Sequence, residues 1–255
     1  MDHPVVSQAQ WLAASRALLV EEKAWSEARD RLSAKRRALP WVELDKAYRF
    51  DGLDGPLSLA DLFDGRSQLI VYHFMFAPEW DEGCTGCSFL ADQVDGARQH
   101  FEHKDVSWVA VSRAPIEKLD AYRKRMGWRF RWVSSGTSAF NYDFNVSFPD
   151  ASRQDGVFYN FERQPDPKIS DLPGVSAFLR DEDGTIYHTY SSFSRGLENV
   201  LPVYGWLDIA PKGRNEAENG NLGDWVKRHD SYPDDGRTAL STSKGGTSTC
   251  CAAAS

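Results

Sequence analysis

Apolar residues at Trp11, Leu12, Leu18, Leu19, Trp25 and Leu32 recur at helical spacing among many charges, which predicts one long amphipathic helix, or two, between Val5 and Leu39. Pro40 ends it, and Lys35-Arg36-Arg37 just before would complement the negative end of the helix dipole. Val42 to Phe50 then reads as a strand, Asp51-Gly52 and Asp54-Gly55-Pro56 as turns, and Ser58 as the cap of a short helix through Leu62. The run from Leu69 to Phe76 is apolar without alternation, the pattern of a central strand covered on both faces. Phe89, Leu90, Val94, Ala97 and Phe101 space as a helix, Val106 to Val111 as a strand, Pro115 to Met126 as a helix and Arg129 to Val133 as a strand. The order is β-α-β-α-β. Farther on, Val175 to Arg180 and Thr185 to Tyr190 flank Asp181-Glu182-Asp183-Gly184, a hairpin signal. Between the two blocks, residues 134–173 are mostly irregular and aromatic-rich, an insertion packed on the core.

This pattern implies an α/β protein whose central mixed sheet is flanked by helices. It has a helical arm at residues 1–40, a main domain at 41–232 and a tail at 233–255. The tail is dominated by Asp, Gly, Ser and Thr and cannot bury enough apolar surface to order itself. The composition, 41% hydrophobic and 26% charged with nine Trp and fourteen Phe, is that of a globular protein with an aromatic core. A net charge of -7 lacks the basic footprint of a nucleic-acid binder, and Arg123, Arg125, Arg129 and Arg131 read as a solvated face. No stretch approaches the roughly 20 apolar residues of a membrane span. The start, Met1-Asp2-His3-Pro4, has no basic and apolar regions of a secretory signal, so the expected location is the cytoplasm.

Four cysteines fall in two pairs, Cys84 with Cys87 and Cys250 with Cys251, too few and too clustered for a disulfide scaffold. A Cys-x-x-Cys between a buried strand and a helix puts the first sulfur at the helix N-terminus, where unpaired N–H groups favour a thiolate. Cys84 is then the nucleophile, and Cys87, almost one turn on, the resolving thiol. Thr85 and Gly86 keep the intervening turn small. Glu79, Asp81 and Glu82 precede the pair, and their charge is expected to raise the thiol pKa against the helix effect. His73, in the strand before the pair, reads either as a base facing the thiols or as a core histidine with its polar atoms satisfied. His100 and His103 look like helix-terminal cations. Zinc needs about four ligands, which one pair does not supply. Cys250 and Cys251 follow a polar linker of roughly 15 residues, with a reach on the order of 20 Å. They read as an auxiliary dithiol or as bystanders.

From Trp11 to about Tyr232 the chain resembles a bacterial thioredoxin-like family of unknown function near the alkyl hydroperoxide reductase and peroxiredoxin group. The resemblance is carried by Arg36-Arg37-Ala38-Leu39-Pro40-Trp41-Val42, by Tyr72-His73-Phe74-Met75-Phe76 through Cys84-Thr85-Gly86-Cys87-Ser88, by the hairpin from Val175 to Tyr190, and by Leu207-Asp208-Ile209-Ala210-Pro211-Lys212-Gly213-Arg214. It implies a thioredoxin fold. Thioredoxin-like proteins place a cis-proline before the hairpin strand, where Val175 aligns here, while Pro173 stands two positions early. Peroxiredoxins carry a Pro and a Thr or Ser at set spacing before the reactive Cys, where this chain has Pro78 six before and Asp81 three before.

The expected chemistry is thiol–disulfide exchange, with a disulfide-bearing protein or a small thiol or disulfide as partner and an external thiol reductant to regenerate the dithiol. No flavin, nicotinamide or metal cofactor is demanded, and neither nucleic acid nor membrane is an expected partner. The alternatives are a thiol peroxidase, in which Cys84 becomes a sulfenic acid, and a non-enzymatic redox-sensing or interaction module.

Overall fold

The computed structural model describes residues 3–216 and 225–232. The central strand β4 (Gln68–His73) runs parallel to β5 (Val106–Ser112), which runs parallel to β6 (Arg131–Ser134). On the other side of β4 lies the antiparallel hairpin of β9 (Gly174–Arg180) and β10 (Ile186–Phe193). Short strands complete both edges: β1 (Val42–Glu43) beside β10, and the hairpin of β2 (Arg49–Gly52) and β3 (Gly55–Ser58) beside β6. The full order is β1-β10-β9-β4-β5-β6-β2-β3. Its heart is the predicted thioredoxin-like arrangement: a parallel pair joined by a helical crossover, then an antiparallel hairpin added at the first strand.

Both faces of this sheet are covered, which is why β4 is apolar without alternation. Successive side chains still point to opposite faces. Leu69 and Val71 enter one cluster with Val109, Val111 and Val133, while Tyr72 and Phe74 enter the other with Trp108, Ala110 and Trp132. The second cluster is closed by α2 (Thr85–Ala91), α4 (Ile116–Arg125) and α7 (Pro202–Ile209), through Leu90, Leu119, Tyr122 and Tyr204. The first is closed largely by residues 134–173, through Phe140, Phe144, Phe148 and Tyr159. That segment is more regular than its sequence suggests, with α5 (Phe140–Asp143), α6 (Asp150–Arg153) and a small hairpin of β7 (Val157–Tyr159) and β8 (Glu162–Gln164).

Three sequence expectations change. The strand expected over Val42 to Phe50 is two strands at opposite edges of the sheet, because the chain crosses the sheet between Glu43 and Arg49. Tyr48 anchors this crossing by donating its hydroxyl proton to Asp143 at 2.9 Å. Asp51, Gly52, Gly55 and Pro56 are paired residues of β2 and β3, leaving only Leu53 and Asp54 as the turn. The helix expected through Phe101 breaks into α2 and α3 (Asp95–Glu102). At the break, Asp92 accepts from Trp128 Nε1 at 2.8 Å, and Gln93 accepts the Val203 N–H at 3.0 Å.

The expected arm is one helix, α1 (Gln8–Arg37), opened by a capping box in which Ser7 and Gln10 bond each other's backbone N–H groups. None of its residues is buried. Trp11, Leu18, Trp25 and Leu32 are 47–64% exposed, so among the described residues the apolar stripe is left largely uncovered.

Candidate active site

The chain leaving β4 stays buried through Ala77 and is tied to its neighbours by backbone bonds. The Phe74 N–H donates to Val111 at 3.0 Å, and Ala114 donates to the Phe76 carbonyl at 2.9 Å. The Cys84 N–H then returns to the Met75 carbonyl at 3.1 Å, setting the start of α2 against the end of the central strand. Lys118 holds the intervening loop by donating to the carbonyls of Pro78 and Trp80, each at 2.8 Å. Gly83 is required there by space: a Cβ would lie 2.7 Å from the Phe74 ring and 3.0 Å from that of Tyr122.

Cys84 is the N-cap of α2, with extended backbone (φ -53°, ψ 134°). The Cys87 thiol, the backbone N–H groups of Cys87 and Gly86 and the Arg228 cation all favour its thiolate. These interactions outweigh partial burial and lower the Cys84 pKa from 9.0 to about 6. Cys87 lies beneath it, 1% exposed, and burial pushes its thiol well above the ordinary range. The Met75 N–H donates to the Cys87 sulfur at 3.4 Å, and the hydroxyl of the buried Tyr72 favours its thiolate. One thiol is poised as a thiolate and the other is held protonated behind it.

A polar chain fixes this corner. Ser88 donates to the Cys84 carbonyl at 2.9 Å and meets the Tyr122 hydroxyl at 3.0 Å. Arg228 donates to Tyr122 at 2.8 Å and to the Gly83 carbonyl at 2.7 Å, and pairs with Glu82 at 2.9 Å. Cys84 and Cys87 border a cavity of about 530 Å³ that Leu197, Leu201 and Val226 also line.

Residues 1–232 match the family described as bacterial protein of unknown function (DUF899). The chain belongs to this family. No curated protein matches it. Solved structures similar to this DUF899 member include peroxidoxin BcpB from Mycobacterium tuberculosis, with 14% identity and a TM-score of 0.44 over 64% of this chain and 94% of that one. Peroxiredoxin Q from Xanthomonas campestris gives 13% identity and a TM-score of 0.42 over 62% of this chain and 90% of that one. PrxQ from Xylella fastidiosa gives 16% and 0.40 over 64% and 89%. The strand order and connections described above define the fold of the DUF899 chain independently of these likenesses.

Of the candidate residues in this DUF899 member, Cys84, Thr85, Gly86 and Cys87 come together at the cavity. Val175 pairs in register with Tyr72 and packs, half-buried, on the same cluster, and Pro173 borders the cavity two positions before it. His73 does not face the thiols: alternation along β4 turns it to the opposite face. There it stacks on Phe140 and Phe144 and bonds the Ser176 hydroxyl at 2.9 Å. Burial lowers its pKa to about 3. Asp81 is exposed on the loop. The expectation that acidic neighbours raise the thiol pKa fails, because Glu82 is neutralised by Arg125 and Arg228. Nor is the arginine cluster simply solvated: Arg123 pairs with Asp120, and Arg125 with Glu82 and Asp230. Cys250 and Cys251 lie outside the described residues.

Sequence reasoning missed Tyr72, Tyr122 and Arg228. Tyr72 was legible in principle, since a period of two lets only one of Tyr72 and His73 face α2. Arg228, 144 positions beyond Cys84, carries no local signal.

Proposed function

We propose that this chain is a thiol–disulfide oxidoreductase in which Cys84 attacks and Cys87 resolves. The observation that carries the reading is the stacking of the two thiols across one turn of α2, with Cys84 at the helix N-cap on the wall of a cavity and Cys87 buried behind it. The Cys84 thiolate attacks one sulfur of a substrate disulfide, forming a mixed disulfide and expelling the other half as a thiolate. Cys87 then loses its proton and attacks Cys84 Sγ, closing the Cys84–Cys87 disulfide and releasing the second half. Two electrons pass to the substrate; the Cys87 proton ends on one of its thiols, and the other leaves as a thiolate that solvent protonates. An external thiol reductant returns the pair to the dithiol.

The reading is tested by differential alkylation and mass spectrometry across a graded glutathione buffer. Reversible, paired oxidation of Cys84 and Cys87 is expected, as is a stable mixed disulfide at Cys84 in the Cys87→Ser protein. Thiols that stay reduced across the whole range overturn it. Stoichiometric sulfenate at Cys84 under peroxide, without disulfide exchange, would replace it by a thiol peroxidase.

A further inference from the structure

The surroundings of Cys84 bear on which disulfides can reach it. A thioredoxin-type partner protein lays an extended segment beside the disulfide and pairs it with backbone groups of the loop before the hairpin strand. In this chain three of those groups are not free to pair. The Leu172 N–H donates to Val146 at 2.9 Å, Pro173 has no N–H, and the Pro173 carbonyl accepts the Tyr159 hydroxyl at 2.7 Å. From Gly174 onward β9 is paired on both sides, with His73 of β4 and Phe193 of β10 opposite Gly174.

In place of a docking edge, Cys84 has a concave cavity. Its volume of about 530 Å³ falls within the range of small-molecule sites, roughly 300–1,000 Å³. Its walls are the side chains of Tyr72, Leu90, Leu197, Leu201, Val226 and Pro173. The charged groups that border it are already engaged. Glu198 takes Arg195 at 2.7 Å and Arg214 at 3.2 Å, and Glu216 accepts from Trp225 Nε1 at 3.3 Å. Among the described residues, Arg195 is the lining cation and is paired with Glu198, and the Arg228 cation near Cys84 is paired with Glu82.

Resting on the exchange chemistry proposed above, we infer that the oxidised substrate is a low-molecular-weight disulfide with uncharged, apolar arms, one of which occupies this cavity while Cys84 attacks the adjoining sulfur. For such a substrate R–S–S–R, attack forms Cys84–S–S–R and frees one RS⁻. Closure of the Cys84–Cys87 disulfide frees the second. The protein dithiol is oxidised by two electrons and the disulfide is reduced to two thiols. A small dithiol such as dithiothreitol closes the cycle in vitro.

The test is single-turnover oxidation of the reduced full-length protein by two aromatic disulfides of opposed charge character, uncharged dithiodipyridine and dianionic dithiobis(nitrobenzoate). Each rate is divided by the rate of the same reagent with free dithiothreitol. The normalised rate for the uncharged reagent is expected to exceed that for the dianion by about tenfold or more, since the anion must enter a largely apolar space whose nearby cations are already paired. It should also saturate with reagent concentration, as occupancy of a cavity requires. Leu197→Trp, which fills the cavity, should abolish most of this preference while alkylation of Cys84 by iodoacetamide, a far smaller reagent, continues. Equal normalised rates with linear concentration dependence overturn the inference, as does reduction of insulin disulfides faster than by dithiothreitol alone. Saturation needs no variant, so a Leu197→Trp protein that fails to fold leaves the test intact. If no reagent yields a Cys84–Cys87 disulfide, the exchange reading itself fails, a result distinct from exchange without selectivity.

Discussion

Two residues outside the Cys-x-x-Cys act on its sulfurs. After the hydrogen bonds from Cys87 and the first N–H groups of α2, the Arg228 cation is the next interaction that favours the Cys84 thiolate. Arg228→Gln removes that charge, so the thiolate becomes less favoured and the midpoint of Cys84 alkylation against pH should rise by about half to one unit. Iodoacetamide rates between pH 5 and 9 read this directly, and an unmoved midpoint would assign Arg228 a purely structural role in holding Gly83 and Tyr122. Tyr72 acts on the other sulfur. Its hydroxyl, with the Met75 N–H, favours the thiolate that the buried Cys87 must become in order to resolve. A hydrogen bond to a charged group contributes about 1.5–3 kcal/mol. Tyr72→Phe should therefore lengthen the life of the mixed disulfide at Cys84 by about tenfold or more, with alkylation of Cys84 itself unchanged. Acid-quenched mass spectrometry of a single turnover measures both.

At the scale of elements, the site depends on how tightly the loop from Pro78 to Gly83 is pressed between β4 and α4. Because a Cβ at Gly83 meets the rings of Phe74 and Tyr122, both buried and bounded by other aromatics, neither neighbour can give way cheaply. Gly83→Ala should destabilise the fold by about 1–3 kcal/mol through overpacking. It should also displace the N-cap, slowing Cys84 alkylation below pH 7; a denaturation midpoint equal to that of the parent would show that the loop relaxes. Elements with a strong period were legible beforehand: β4, β5, α4 and the β9–β10 hairpin stand within a residue or two of their expected places at most ends, and the Cys-x-x-Cys opens a helix as its context required. The elements that were not legible depend on distant partners. The crossing between β1 and β2 is held by Asp143 of α5, and the break between α2 and α3 by Trp128 and Val203, none of which is adjacent in sequence. The amphipathic stripe of α1 marks a helix, yet its pattern says nothing about what covers it.

Across the whole molecule the sheet separates two environments: an aromatic layer that carries the thiols, and a second layer in which a single histidine is sealed. His73 is 1% exposed, stacked on Phe140 and Phe144, with Ser176 on Nε2 and His188 as the titratable group that opposes its charge. Both burial and His188 disfavour the imidazolium, which places its folded pKa near 3 against 6.5 in an ordinary setting. Above about pH 6.5 the ring is neutral in folded and unfolded chains alike, and His73 adds no pH dependence. Below it, the unfolded chain takes up a proton that the folded chain refuses until about pH 3, so stability falls progressively across that window. The loss accumulates to a few kcal/mol, on the order of 1.4 kcal/mol for each pH unit of displacement. His73→Phe keeps a flat ring in the stack and removes the titration. The variant should therefore show a shallower fall in unfolding midpoint between pH 6.5 and 4, whatever its stability at pH 7.5. Carboxylates with lowered pKa, such as Asp120 and Asp230, weaken both proteins equally as they protonate, so the difference in slope isolates the histidine. Parallel slopes in the two proteins would mean that the ring reaches solvent and protonates in the folded state, and that the second layer is not sealed.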